Sequence, residues 1–258
     1  MRFVFLLCLV VLSPRAFSEE TVYALLACDT LSDLKPASEQ DLANLKTALQ
    51  EIAQYSELKA KIHVLANQAL TSANIENWLS MAEKVHEGVV LFYYSGHGFR
   101  TQSLASSFPY LTFPSRHECY NPDDLLCRLI GSSARLVIII FDCCNSTGSN
   151  PGSFTRALPK YGGPLLTPPG YKILFSGSQG RIVAVGSAPG EPAFAYSTGS
   201  LYTNSLLQAL RSECMTSDAT WQRIFDRAAA LCAPTQHPYF ILNVSVMPQE
   251  QKRARQAS

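Results

Sequence analysis

Two stretches of the 258-residue chain end an apolar run in residues able to do chemistry. The first, VVLFYYSGHGFR (Val89 to Arg100), breaks off into Ser95, Gly96, His97 and Gly98. The second, LVIIIFDCCNSTG (Leu136 to Gly148), breaks off into Asp142, Cys143, Cys144 and Asn145. A thiol attacks well only as thiolate, and a nearby imidazole can take its proton or stabilise the anion. Such chemistry asks for one cysteine and one histidine that are distant in sequence and adjacent in space. His97 and Cys144 meet the first half of that demand, and two neighbouring strand ends would meet the second. Gly96 and Gly98 suit the same chemistry, because glycine lets the backbone turn sharply and lets an amide approach a reacting carbonyl. One such amide is worth roughly 3 kcal/mol in the transition state. Side chains alternate along a strand, so Asp142 and Cys144 share one face while Cys143 turns to the interior as a small hydrophobe. Ser95 and His97 share a face by the same rule. The expected site combines a thiol, an imidazole, a hydroxyl and a carboxylate, and Asp142 favours a cationic side chain in the adjoining pocket.

Those residues need a scaffold, and the hydrophobic pattern describes one. Val22 to Cys28 reads as a strand. Leu42, Leu45, Leu49 and Ile52 mark one face of a helix from Ser38, with Asp41 three residues on as a capping partner. Lys61 to Leu65 is a second strand, and Thr71 or Ser72 caps a helix carrying Ile75, Trp78, Leu79 and Ala82. Val89 to Tyr94 is a third strand, almost wholly apolar, as expected when helices cover both faces. Residues 99–120 read as irregular, and Asn121 opens a helix through Ile130. Leu136 to Phe141 is the most hydrophobic strand, and YKILFSGSQG (Tyr171 to Gly180) predicts another. Helices over Leu201–Leu210 and Trp221–Leu231 and a closing strand over Tyr239–Val246 follow. This alternation predicts an α/β sandwich with a mainly parallel sheet, whose ligands collect beyond the carboxyl ends of the strands.

Composition narrows the class. With 47% hydrophobic and 16% charged residues the chain is not disordered as a whole. A net charge of +1 without a basic stripe excludes a nucleic-acid footprint. The cluster Lys252-Arg253-Ala254-Arg255 falls in residues 248–258, which are expected to form a disordered basic tail. Residues 1–18 read as a secretory signal peptide: Arg2, an apolar run from Phe3 to Leu12, then small residues in Ala16-Phe17-Ser18. That run is too short to span a bilayer. The mature chain is therefore expected in the secretory pathway, periplasmic or extracellular, without stable membrane insertion. Seven cysteines remain (28, 119, 127, 143, 144, 214 and 232), so at least one lacks an internal partner. Cys119 with Cys127 and Cys214 with Cys232 are the local pairs that spacing allows, and connectivity stays open. No CxxC or clustered Cys/His spacing suggests zinc.

YYSGHG followed by LVIIIFDCCNSTG resembles the catalytic pair of the caspase-like cysteine peptidases, specifically metacaspases and their bacterial relatives. Those families show Ser-Gly-His-Gly and then Asp-Ser-Cys-His-Ser-Gly at strand ends. The resemblance implies a caspase-like three-layer α/β/α sandwich over residues 19–247 and a cysteine endopeptidase acting on protein or peptide substrates through an acyl-enzyme. It implies His97 as base, Cys144 as nucleophile, and the amides of Gly98 and Cys144 as the oxyanion hole. SEQDLANLKTAL is similar to the family's helix after the first strand, which puts Asp41 at a specificity-pocket position beside Asp142 and Ser95. LFSGSQG looks like the family's Ser-Gly-Cys strand, bringing Ser176 and Ser178 into the substrate-binding set, and GSLYTNSLLQAL looks like its threonine-bearing helix. Asp142 and Asp41 favour cleavage after Arg or Lys. The Pro- and Gly-rich linker 148–170 lies where relatives divide large from small subunit regions, with Arg156 and Lys160 as candidate self-cleavage points. The chain departs from the pattern at Cys143, Asn145 and Ser38. Thr112 and Pro151 fall about where a metacaspase calcium site has carboxylates, so no metal or other cofactor is expected and Asp123 and Asp124 read as a helix cap. Two alternatives stay open: a catalytically silent binding module, its thiols oxidised on export, and a legumain-like hydrolase of other specificity, against which Asp142 argues. Oligomeric state is not legible.

Overall fold

Strict alternation along the central strands builds two hydrophobic cores, one on each face of a single sheet. The computed structural model describes residues 20–114, 116–147, 152–153 and 168–247. The expected signal peptide, Arg156, Lys160, most of the linker and the basic tail lie outside the described residues. The chain runs β1 (Thr21–Cys28), α1 (Lys35–Ser56), β2 (Lys59–Ala66), α2 (Ser72–Ala82) and β3 (Val89–Ser95). Next come the short strands β4 (Gly98–Phe99), β5 (Tyr110–Phe113) and β6 (Glu118–Tyr120), then α3 (Pro122–Ile130), β7 (Leu136–Asp142) and β8 (Gly152–Ser153). A helical turn α4 (Pro169–Tyr171) runs into a π-turn (Lys172–Ser176), followed by β9 (Ser178–Val185), β10 (Phe194–Tyr196) and β11 (Gly199–Ser200). Helices α5 (Leu201–Cys214) and α6 (Trp221–Cys232) and strand β12 (Tyr239–Val246) complete the fold. No helix among the described residues is long and apolar enough to cross a membrane.

The main sheet has the order β12-β9-β7-β3-β1-β2, parallel throughout except for β12. Ala24, Leu26, Leu91, Tyr93, Ile138 and Ile140 pack on one face beneath residues of α1, α5 and α6. Leu25, Ala27, Phe92, Tyr94, Ile139 and Phe141 pack on the other with residues of α2, α3 and the β4–β6 sheet. Each of the leucine, isoleucine and phenylalanine side chains contributes about 1.5–3 kcal/mol on burial. The fold is the expected three-layer sandwich. Because β1 lies between β2 and β3, the order of the chain reverses there. The loops leaving β1 and β3 part to opposite faces and leave a crevice beyond their carboxyl ends. Cys28, Ser95 and Asp142 stand level at that rim.

Thr71 caps α2, its hydroxyl accepting from Asn74 N, and Asn121 caps α3. Four local expectations change. Helix α1 begins at Lys35, with Pro36 in its first turn, where a missing N–H costs nothing. Ser38 is therefore a buried interior residue, not a cap. Residues 99–120 hold three strands of two to four residues, too short for periodicity to reveal. The stretch Tyr171–Ser176 is helical, started by Pro169, and the strand begins at Ser178. Among the described residues all seven cysteines are free thiols. Cys232 neighbours Ser205 in the first turns of α5 while Cys214 ends that helix. The two are separated by roughly 13 Å of helix, beyond disulfide reach.

Candidate active site

Register brings the two reactive strand ends together. Ser95 pairs with Asp142 across β3 and β7, and the Gly96 N–H donates to the Asp142 carbonyl at 3.3 Å. Past this rung Arg100 N donates to Ser146 O at 2.9 Å, keeping the two loops side by side. Ser95, Gly96, His97, Asp142 and Cys144 line one cleft, walled opposite by Ala193–Ala195 and Ser200. Alternation persists beyond β7: Cys143 is buried in the core that holds Tyr94 and Phe141, and Cys144 faces the cleft.

Burial pushes the Cys144 thiol above its ordinary range, partly offset by the Ala193 N–H at 3.2 Å from Sγ. Sγ also donates to the Ala193 carbonyl at 3.8 Å. The resting thiol is thus protonated and held against backbone, and a base must take its proton before it can attack. Gly98, the first residue of β4, can lie this close to the end of β7 only as glycine. A Cβ there would lie 2.6 Å from Cys143 Sγ and 2.7 Å from Cys144 O. Thr112 N donates to His97 O, so His97 and Thr112 form the hydrogen-bonded rung of the β4–β5 ladder. Gly98, one step on opposite Leu111, therefore turns its N–H away from β5. His97 is bound by a residue that sequence reasoning missed: Nε2 lies 2.7 Å from Asp33 Oδ1, in the loop after β1.

The floor of the cleft holds two buried carboxylates. Asp142 is 3% exposed and Asp41, on α1 behind Ser95 and Ser200, is 0% exposed. Asp142 Oδ2 accepts from Thr203 N at 2.9 Å and Thr203 Oγ1 at 2.5 Å, so the amino end of α5 points at the charge. Asp41 accepts from Ser200 N and Ser95 Oγ, both at 2.9 Å. The Ser200 hydroxyl touches both acids, 2.7 Å from Asp41 Oδ2 and in close contact with Asp142 Oδ2. A hydroxyl has one proton to give. When it donates to one acid, the other contact needs a carboxyl proton donated to the hydroxyl. Burial agrees: desolvation, with the charge of Asp142 added, pushes Asp41 up to about 7, and desolvation raises Asp142 too. Among the described residues Asp142 Oδ1 has no hydrogen-bond partner.

Ser176 and Ser178 do not join this site. Ser176 precedes β9 and Ser178 opens it, at the amino end of the sheet, where Gly180 pairs with Leu136 at the start of β7. Ser176 Oγ donates to Ser56 O and Ser178 Oγ to Ile173 O, roughly 20 Å along the strands from the cleft. The end of β9 that does reach the site is Val185-Gly186-Ser187, where Ser187 Oγ donates to the Cys143 carbonyl at 2.9 Å. The overlooked signal was a second apolar run, Ile182 to Val185, also ending in glycine and serine. Nothing in the spacing of Asp33, Ala193 or Ser200 marks them as site residues.

The sequence pattern of the Caspase domain family matches residues 22–256, nearly the whole chain, and the protein belongs to this family, in general terms one of cysteine-type peptidases. No curated protein matches it by sequence. Caspase-1 from Spodoptera frugiperda superposes with a TM-score of 0.59 at 15% identity, covering 86% of both chains. A protein from Geobacter sulfurreducens superposes with a TM-score of 0.57 at 16% identity, covering 90% of this chain and 96% of its own. Both share the fold.

Proposed function

We propose that the protein is an exported cysteine endopeptidase that cleaves protein or peptide substrates after Arg or Lys, with Cys144 as nucleophile and His97 as base. One observation carries the proposal: thiol, imidazole and buried carboxylate line the same cleft. The thiol proton passes to His97 as Sγ attacks the substrate carbonyl, and the N–H groups of Gly98 and Cys144 receive the oxyanion. Collapse expels the amine, which leaves with the proton from His97. Water then attacks the thioester with His97 as base, releasing the acid and restoring the thiol. The cationic side chain enters toward Asp142 between Ser95 and Ser200, with Asp41 behind. An arriving cation favours the ionised pair and expels its proton. Export rests on the first 18 residues.

The test uses reduced, purified protein on fluorogenic peptides ending in Arg, Lys, Asp or Asn, with and without calcium. Turnover after Arg or Lys, indifferent to calcium and falling at least about a thousandfold in Cys144→Ala and His97→Ala, is expected. Cleavage after Asn would favour the legumain-like reading, and loss only in Cys143→Ala would move the nucleophile. No turnover with thiols shown to be reduced would leave a binding module. Incubated wild type is expected to yield fragments cut at Arg156 or Lys160, absent in Cys144→Ala.

A further inference from the structure

The loop that brings Asp33 to His97 is built, not incidental. Asp29, fully buried, accepts from the N–H groups of Leu31 and Ser32, both at 3.1 Å, and its own N–H donates to Ser95 O at 2.8 Å. Ser32 Oγ accepts from Leu34 N at 3.2 Å. Thr30 Oγ1 donates to Asn67 Oδ1 and accepts from Asn67 N, both at 2.9 Å. Between the end of β1 and the start of α1 the chain is thus tied to β3, to itself and to the loop after β2. Asp33 stands on this frame with its side chain 68% exposed, while that of His97 is 30% exposed. An exposed contact of this kind adds little to folding stability, so stability gives no reason for Asp33 itself to meet His97.

Chemistry gives one. A carboxylate only accepts hydrogen bonds, so the pair places the imidazole proton on Nε2 and leaves the lone pair on Nδ1. Nδ1 is then the atom that takes the Cys144 proton and later hands it to the departing amine. Once both nitrogens are protonated, the carboxylate stabilises the imidazolium. Without it the ring can rotate, and either nitrogen can hold the proton. We propose that Asp33 is a positioning residue for His97, so that the working set is Cys144, His97 and Asp33; this rests on the peptidase reading of the cleft.

The test compares full-length wild type with Asp33→Asn, Asp33→Ala and Asp33→Glu by steady-state kinetics on an Arg-ended fluorogenic peptide. Alkylation of Cys144 by iodoacetamide, located by peptide mass spectrometry, follows the thiol without any substrate. Asp33→Asn is expected to lower kcat roughly tenfold, with KM within about twofold and an unchanged thermal midpoint. Alkylation should slow in parallel, and Asp33→Glu should retain most of both rates. Unchanged kcat and alkylation in Asp33→Asn and Asp33→Ala would overturn the proposal. Faster rates would overturn it too, because the carboxylate would then restrain His97 instead of serving it. If wild type cleaves no peptide, the peptidase reading fails, while the alkylation rates still decide whether Asp33 governs the reactivity of Cys144.

Discussion

Carboxylates approach the cleft from two sides, and solvent treats them in opposite ways. Asp33 reaches His97 from an exposed loop, whereas Asp41 and Asp142 lie buried beneath the floor and share the Ser200 hydroxyl. The exposed acid faces water, so what it can offer is direction: one oxygen 2.7 Å from one ring nitrogen. The buried pair cannot keep two charges cheaply, so what it can offer is a response: a cation placed beside it would draw off the shared proton. The same functional group is a fixed pointer in one place and an adjustable charge in the other. Burial alone separates the two.

The largest effect should come from removing the charge at the floor. Asp142→Asn keeps the shape and leaves an oxygen for Thr203, so turnover after Arg or Lys should fall about a hundredfold or more. Thermal unfolding should move little, since an amide has no charge to desolvate. Retention of Arg cleavage in this variant would remove Asp142 from the pocket and collapse the comparison.

A pH titration sharpens it next. Burial lifts Asp41 from 3.8 to about 7, so the folded chain binds more protons than the unfolded chain between about pH 4 and pH 7. The stabilisation from this raised value is complete below about pH 4 and is lost as pH rises through 7. Urea midpoints should therefore drop across that window, and Asp41→Asn should flatten the decline. Cleavage after Arg should run the other way, rising over the same range as the floor gains charge. A wild-type stability profile as flat as that of Asp41→Asn would show that the acids share no proton.

The smallest effect belongs to Ser95→Ala, which removes one donor from Asp41 and leaves both Ser200 contacts. A loss of about 1 kcal/mol is expected, roughly a threefold to fivefold rise in KM for Arg-ended peptides with kcat nearly constant. A drop in kcat with unchanged KM would place Ser95 in the reacting set instead.

Several parts of this arrangement could be read along the chain. The apolar runs Val89–Tyr94 and Leu136–Phe141 are strands because their side chains fill cores on both faces, and a period of two carried past the end of β7 puts Cys143 inward and Cys144 outward. Tyr171–Ser176 misled because a short apolar run is compatible with helix or strand, and Pro169 decided for a turn of helix. That error displaced Ser176 and Ser178 to the wrong end of the sheet and hid Gly186 and Ser187. The Cys214–Cys232 pair failed for a related reason: spacing along the chain says nothing of which end of α5 a residue faces.

Sequence by itself determined β1, β2, β3, β7 and β12, the buried faces of the central ones, and the histidine and cysteine that follow two of them, because alternation and apolar content act over a few residues. Tertiary structure alone decided who meets whom across 58 to 64 residues: Ser200 and Thr203 with Asp142, and Asp33 with His97. Those meetings follow from the strand order, which reverses at β1, and from the direction in which α5 enters the sheet. It also decided the protonation of the floor, since only packing from every side removes the water that would otherwise keep Asp41 and Asp142 charged.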